Sequence, residues 1–279
     1  MNWLKRLLNR NKRRIPDALW QTCLARLPFV QQLPASDLGR LKSLSETMLA
    51  TKPVTGAGNL ELTDEIAVLI AAQACLLVLN LTLDLYDDMV GIIVYPSAFI
   101  VPISEIDEAG VVHEWREPLS GEAVHAGGAV VLSWEDVENA QAFGVGHNVV
   151  IHEFAHKIDM ARGSANGFPP FLRDYHQDIG ARRWQRAFSA AYADFSRRVE
   201  TLDRQLSGNF DFANPADAQR YDALFATLPM DAYAAKHPAE FFAVASEVFF
   251  LQPQPLASDY PEVYTLLAHY YRQDPLMRS

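Results

Sequence analysis

The chain has 279 residues, a formal net charge of −10 and an apolar content of 49%. This length is enough for one large domain, and this apolar content is enough for a sizeable core. An acidic chain argues against nucleic acid as the main partner, because phosphate binding needs a positively charged face.

The first 14 residues carry a charge opposite to that of the remaining chain. Six of the 24 basic residues lie in residues 1–14, which leaves 18 basic against 34 acidic residues in 15–279. The basic residues alternate with the apolar residues Trp3, Leu4, Leu7 and Leu8, a pattern that can contact anionic lipid or an acidic partner. The other interpretation is a solvated chain end. We predict a basic N-terminal tail, residues 1–14, followed by one domain over residues 15–279.

The cysteines and the apolar segments indicate the cellular setting. Cys23 and Cys75 give no disulfide framework, and Cys75 lies in an apolar run typical of a buried thiol. The N-terminus lacks the apolar segment and cleavage site of a secretory signal. Residues 66–83 are apolar but interrupted by Gln73 and Asn80, which favours a buried helix over a membrane span. We therefore expect a cytoplasmic protein without a transmembrane segment.

The predicted elements run from helices to strands and back to helices. Residues 17–82 have helical periodicity, with N-cap sites at Ser36-Asp37 and Thr63-Asp64 and a break at Gly56-Ala-Gly58. Strands are predicted at residues 92–95, 111–113 and 129–134. Helices are predicted at residues 147–160, 181–206 and 238–250, with loops at 163–170 and 208–215. Without a repeat or a linker, this order indicates one α+β domain that is mostly helical.

The most informative motif is His152-Glu153-Phe-Ala-His156, in which two histidines stand four residues apart. On a helix this spacing puts both imidazoles on one face, where their nitrogens can hold one Zn²⁺ ion. Glu153 then lies beside the open metal position. Its carboxylate can take a proton from the water that the metal activates and pass it to a leaving amine. The pattern therefore predicts one zinc ion per chain and a hydrolytic site.

The alternative to a metal site is a surface helix that carries two unrelated histidines. The residues just before the motif are Val149, Val150 and Ile151, and its interior is Phe154-Ala155. Uncharged residues at these positions suit a helix that is packed in the interior. They favour the metal site.

The third metal ligand is not part of this motif. A zinc enzyme usually takes three protein ligands and leaves one position for water. A metzincin would have Gly and His at the positions where this chain has Asp159 and Arg162, so that class is excluded. The third ligand must therefore come from another segment.

Residues 231–250, DAYAAKHPAEFFAVASEVFF, are the best candidate for that segment. Pro238 suits the start of a helix, which places Glu240 in its first turn and Glu247 two turns on. Burial of a carboxylate in such an apolar helix costs free energy unless the carboxylate is paired or bound to a metal. The alternatives are that both glutamates form caps or salt bridges, or that His237 is the third ligand.

The segments IHEFAHKIDM and DAYAAKHPAEFFAVASEVFF resemble those of the MtfA (Mlc titration factor A) family of zinc peptidases. The likeness extends to IIVYP at residues 92–96, GAVVLSW at 128–134 and YRQDPL at 271–276. The active-site plan is similar to that of the gluzincins and of the catalytic domain of anthrax lethal factor. The basic tail has no counterpart in this resemblance.

The resemblance implies a zincin-like fold, with a small sheet beside the active-site helix. It implies a zinc ion on His152, His156 and Glu240, with Glu153 as general base and the Tyr233 hydroxyl directed at the oxyanion. It further implies an aminopeptidase-like enzyme that acts on a peptide or protein substrate, and a link to a sugar-responsive transcriptional repressor. The rival interpretations are a regulator-binding protein with weak or vestigial peptidase activity, and a nucleic-acid or membrane module based on the tail, which the acidic body disfavours.

Three further features of the sequence each allow two interpretations. Asp159 lies three residues after His156 and can accept the second ring N–H of that histidine, and Glu247 can do the same for His152. Otherwise these two acids pair with lysine or arginine. The strand at residues 129–134 is either an edge that pairs with an extended peptide or an interior strand.

Overall fold

The structure is a computed structural model that describes residues 14–106, 112–119, 121–123, 128–139, 146–206 and 210–278. Within residues 99–123 it describes the backbone alone. Apart from Arg14, the predicted basic tail lies outside the described residues.

Between residues 14 and 77, the first stretch that the structure describes, lie four helices: α1 (Asp17–Ala25), α2 (Pro28–Gln31), α3 (Ala35–Thr51) and α4 (Asp64–Leu77). The predicted cap at Thr63 is confirmed, since its hydroxyl accepts from the backbone N–H of Ile66 at 3.2 Å. The cap predicted at Ser36-Asp37 is wrong, because α3 begins at Ala35 after Pro34, which fixes a helix-compatible φ but offers no side-chain acceptor. Proline rather than a polar cap therefore sets this helix start.

Helix α4 lies at the centre of this layer, with α1 and α3 packed against it. All of its residues from Val68 to Leu77 are buried, which confirms the prediction of a buried helix. Among the described residues, no helix combines the length and the apolar character needed to cross a membrane. Cys23 and Cys75 are buried free thiols, and burial raises the pKa of Cys75 to about 12.

A four-stranded sheet has the order β1-β2-β6-β5, with β1 (Val54–Gly56), β2 (Ile92–Tyr95), β5 (Gly121–Ala123) and β6 (Val130–Ser133). β1, β2 and β6 are parallel, and β5 is antiparallel to β6. Because β6 pairs on both sides, the predicted strand at residues 129–134 is interior and not an edge. β1 corrects the helical prediction for residues 17–82: its partner β2 follows almost 40 residues later, so no local pattern identifies it.

A separate antiparallel hairpin consists of β3 (Phe99–Ile106) and β4 (Val112–Leu119). The strand predicted at residues 111–113 overlaps the start of β4, although residue 111 lies outside the described residues. β3 was not predicted.

The second half of the chain is helical: α5 (Trp134–Glu138), α6 (Val149–Met160), α7 (Ala181–Asp203), α8 (Pro215–Phe225), α9 (Pro238–Leu251), α10 (Pro253–Asp259) and α11 (Pro261–Tyr271). Short 3₁₀ helices lie at Leu83–Tyr86, Ala232–Ala235 and Pro275–Arg278. The three helices predicted in this half are confirmed within three residues. The predominance of helices beside a small sheet is consistent with the predicted α+β class.

Helix α6 occupies the position that matters most for function. It packs against α4 on one side, against α9 on another, and against β5 and β6. The HExxH residues therefore lie between two buried helices and the antiparallel edge of the sheet, as expected for a helix with uncharged residues around its motif.

Candidate functional site

Helix α6 begins with a buried cap. The side-chain oxygen of Asn148 accepts from the backbone N–H of Ile151 at 2.9 Å, which satisfies one of the free amides of the first turn. Because the cap fixes where α6 begins, His152 and His156 lie one turn apart on the same face of the helix. Their ring centroids are 4.8 Å apart.

Helix α9 supplies the facing side chain. Pro238 lies in the first turn of α9. The Nδ1 atom of His237 caps the helix by accepting from the backbone N–H of Ala239 at 3.2 Å. Glu240, in the same turn, reaches across to both histidines. The structure thus brings Glu240 to the histidine pair and places the rival His237 at the helix cap.

Three potential ligand atoms form a small triangle. His152 Nε2 lies 3.0 Å from Glu240 Oε2 and 3.2 Å from His156 Nε2, and His156 Nε2 lies 3.2 Å from Glu240 Oε2. Among the described residues, these three also form the one group of histidine and acidic side chains spaced to hold a metal ion. Ligand atoms at the roughly 2.0–2.1 Å bond lengths of a tetrahedral zinc ion are about 3.3 Å apart. The triangle therefore fits one face of such a coordination shell.

The other ring nitrogen of His152 is held by Glu247. Nδ1 lies 2.8 Å from Glu247 Oε1, and only 1% of the Glu247 side chain is exposed. A carboxylate accepts hydrogen bonds, so this contact places a ring hydrogen on Nδ1 and keeps Nε2 as the ring atom that faces Glu240 and His156 and would bind a metal. This is the arrangement predicted for Glu247.

Without a cation, the histidines and Glu240 form an ion-paired cluster. Burial would lower the pKa of His152, but its hydrogen bonds to Glu240 and Glu247 raise that pKa well above its usual value. Burial would raise the pKa of Glu240, but hydrogen bonds from His152 and His156 hold it well below its usual range. Glu240 is therefore an anion, the form that a metal ligand requires.

Glu153 follows His152 on α6 and is 5% exposed. Burial raises its pKa, although the neighbouring histidines oppose the shift. A raised pKa suits a carboxylate that must take up and then release a proton near neutral pH. One turn further on, the buried Lys157 donates from Nζ to the carbonyl oxygen of Gly128 at 3.1 Å, which ties α6 to the segment that leads into β6.

Asp159 has a different role from the predicted one. Its Oδ2 atom accepts from the backbone N–H groups of Asn166 and Gly167, both at 2.7 Å, and so holds the loop that follows α6. Its Oδ1 atom and the Nδ1 atom of His156 are both buried, and neither has a hydrogen-bond partner among the residues that the structure describes. The predicted hydrogen bond between Asp159 and His156 is therefore absent, because two loop amides hold the carboxylate in another orientation.

Tyr233 lies on the 3₁₀ helix Ala232–Ala235, just before α9. Its backbone N–H is capped by Asp231 Oδ1 at 2.8 Å, and its side chain is 42% exposed. Its ring centroid is 6.0 Å from that of His152, and the ammonium group of Lys236 lies 5.2 Å from the ring centroid. The structure thus brings Tyr233 to the rim of the histidine cluster.

Sequence reasoning missed two residues behind this cluster. The side-chain nitrogen of Asn148 donates to Gln73 Oε1 at 2.6 Å, and the backbone N–H of Asn148 donates to Glu247 Oε2. Asn148 has a detectable signal, since an asparagine before an apolar helical run predicts a cap. Gln73 was visible only as a polar interruption of an apolar helix.

The chain is similar to a known peptidase family and to several bacterial proteins. The family model for glucose-regulated metallo-peptidase M90 matches residues 1–272. Protein slr2042 of Synechocystis sp. is 34% identical over 262 residues, which cover 92% of this chain and 85% of its own length. Mlc titration factor A of Serratia proteamaculans is 34% identical over 263 residues (94% and 89%), and that of Salmonella arizonae is 31% identical over 262 residues (94% and 93%).

These matches cover nearly the whole chain, including both α6 and α9, and they confirm the resemblance to the Mlc titration factor A proteins. The chain belongs to the glucose-regulated metallo-peptidase M90 family.

Proposed function

We propose that this protein is a zinc-dependent peptidase that hydrolyses peptide bonds, with His152, His156 and Glu240 as the metal ligands. The observation that carries the proposal is the triangle of His152 Nε2, His156 Nε2 and Glu240 Oε2, whose edges are 3.0–3.2 Å. Two imidazoles and one carboxylate with water in the fourth position is a ligand set typical of catalytic zinc. Family membership supports the same class of reaction.

A bound zinc ion would supply Lewis-acid activation of water and of the substrate carbonyl. The chain's own residues then have separate tasks. Glu153 accepts a proton from the attacking water and returns it to the departing amine, a role that its burial and raised pKa support. Tyr233, at the exposed rim beside His152, donates its hydroxyl hydrogen to the oxygen that gains charge.

The test of this function is the variant Glu153→Gln in zinc-loaded protein. Because Glu153 is assigned to proton transfer and not to the metal, we expect peptide turnover to fall by roughly two or more orders of magnitude while the zinc content is unchanged. The matched control is Glu262→Gln, an exposed glutamate that pairs with Arg183 at 3.0 Å. Retained turnover in Glu153→Gln, or loss of zinc together with turnover, would contradict the assignment.

We further propose an aminopeptidase-like substrate preference, which rests on the family resemblance alone. A matched pair of peptides with free and acetylated N-termini tests it. Preferential cleavage of the free peptide at its first bond is expected, whereas equal internal cleavage of both would indicate an endopeptidase.

A second candidate function is binding of a transcriptional regulator, with weak peptidase activity. It is motivated by the name Mlc titration factor A, which several relatives carry. Capture of a repressor protein should then be as strong with Glu153→Gln as with wild type, because binding would not depend on proton transfer. Capture that requires an intact Glu153 would instead favour a repressor as substrate.

A further inference from the structure

A chain of buried polar groups runs from the metal cluster into the core. His152 Nδ1 contacts Glu247 Oε1 at 2.8 Å, and Glu247 Oε2 accepts the backbone N–H of Asn148. The side-chain nitrogen of Asn148 donates to Gln73 Oε1 at 2.6 Å, and Gln73 Nε2 donates to the carbonyl oxygen of Leu69 at 3.0 Å. The chain thus joins helices α4, α6 and α9.

These groups are well shielded from water. Gln73 and Asn148 are each 2% exposed, and Glu247 is 1% exposed. Buried polar groups are costly unless each finds a partner, and a fully paired network holds its members in one arrangement. The partnered network therefore restricts the positions that Glu247 can adopt.

Asn148 is the junction of this chain. Its side-chain oxygen caps α6 at Ile151, its backbone N–H holds Glu247, and its side-chain nitrogen is held by Gln73. Rotation of the Asn148 amide would break the cap and the Gln73 contact together. Gln73 thus selects the amide orientation that keeps both α6 and Glu247 in place.

We propose that Gln73 and Asn148 are positioning residues that act through Glu247 on His152, and that they set the affinity of the site for its metal. Glu247 accepts a hydrogen from Nδ1 and so keeps the Nε2 atom in the triangle with His156 and Glu240. A displaced Glu247 would free the ring to rotate or to change tautomer, which removes a ligand atom. The inference rests on the proposed zinc function.

The surroundings of Gln73 and Asn148 can accommodate test substitutions. Gln73 and Asn148 border a cavity of about 280 Å³ whose lining includes Leu69 and Leu251. Replacement of Gln73 by leucine therefore removes the acceptor for Asn148 without forcing a larger side chain into a filled core. Asn148→Ser breaks the same contact from the other side and keeps a hydroxyl that can cap α6.

The experiment measures zinc affinity of purified full-length variants by competition with a chelator, together with the visible spectrum of the Co²⁺ form. We expect Gln73→Leu and Asn148→Ser each to weaken zinc binding by roughly 10-fold or more and to alter the Co²⁺ bands. The double variant should lose little beyond either single change, because both break one contact.

The matched control is Ser246→Ala, next to Glu247 on α9. Ser246 is fully buried, and its hydroxyl contacts the Phe242 carbonyl oxygen at 2.7 Å and the Tyr271 hydroxyl at 2.8 Å, away from His152. The Ser246→Ala variant should unfold at a lower denaturant concentration than the wild type. Its zinc affinity and its Co²⁺ bands should be unchanged. Zinc affinity within twofold of wild type in Gln73→Leu, or an equal loss in Ser246→Ala, would overturn the positioning role. Failure of the wild type to bind zinc would instead reject the proposed function.

Discussion

The backbone of Gly167 lies against the carbonyl oxygen of Pro238, where the loop after α6 meets the first turn of α9. A Cβ atom added to Gly167 would be 2.5 Å from that oxygen, and the φ angle of Gly167 is +78°. Its amide is also one of the two that hold Asp159. Gly167 therefore fixes the separation of the two helix segments that carry His156 and Glu240.

This close approach predicts the effect of Gly167→Ala. The left-handed backbone and the contact with Pro238 both oppose a side chain, so we expect a loss of about 1–3 kcal/mol in the free energy of unfolding. Zinc affinity should fall as well, because relief of the contact moves the start of α9. Denaturant unfolding and metal titration measure the two effects.

Gly163→Ala is the matched control in the same loop. An added Cβ there has no atom of the described residues within 4 Å, and Gly163 is not among the glycines with a positive φ angle. Its stability should stay close to that of the wild type. If Gly163→Ala and Gly167→Ala had equal effects, the close contact with Pro238 would not be the cause.

The zinc content of the protein should depend on the histidine pair of α6. Wild-type protein should hold about one zinc ion per chain, and the double variant His152→Ala, His156→Ala should hold none, because two of the three proposed ligands are lost. His237→Ala is the control: it removes the α9 cap at a cost of up to about 1 kcal/mol in stability but should keep zinc. Elemental analysis of the dialysed proteins measures the zinc bound per chain. Loss of zinc from His237→Ala would indicate that His237 is a ligand.

The two glutamates of α9 should differ in their effect on the metal. Glu240→Ala removes an atom of the triangle, so we expect zinc affinity to fall by more than 100-fold. Glu247→Ala removes only the partner of His152 Nδ1, for which a loss of roughly 10–100-fold is expected. Chelator competition on both variants ranks them, and the reverse order would mean that Glu247 is the ligand.

The difference between what could and could not be predicted follows from sequence separation. The HExxH spacing and the proline before Glu240 are local signals, and each places its side chains on a helix face without knowledge of the remaining fold. The contact between Gln73 and Asn148 joins residues 75 positions apart, and the strand Val54–Gly56 depends on a partner that forms much later in the chain. Tertiary packing decides such features.

Asp159 illustrates the same limit at the site itself. Its position three residues after His156 is compatible with a hydrogen bond to that ring, and helical geometry alone cannot distinguish this partner from others. The loop that follows α6 offers two backbone N–H groups, those of Asn166 and Gly167, and both donate to one oxygen of the carboxylate. The path of a loop with Gly167 in a left-handed conformation is not encoded in a pattern of apolar residues.

Tyr233 allows catalysis to be separated from metal binding. Its exposed ring lies beside His152 without taking part in the ligand triangle, so a hydroxyl that acts on the substrate should matter mainly in the transition state. Tyr233→Phe should then lower kcat and kcat/KM by similar factors, about 10²–10³, and leave zinc content unchanged. The control is Tyr264→Phe, which loses a hydroxyl that contacts Asp274 Oδ1 at 2.6 Å and should be nearly silent in the kinetics. Steady-state rates on any cleaved peptide measure this effect. If kcat and kcat/KM of Tyr233→Phe lay within about threefold of the wild-type values, Tyr233 would be an ordinary surface aromatic. Another group would then have to stabilise the oxyanion.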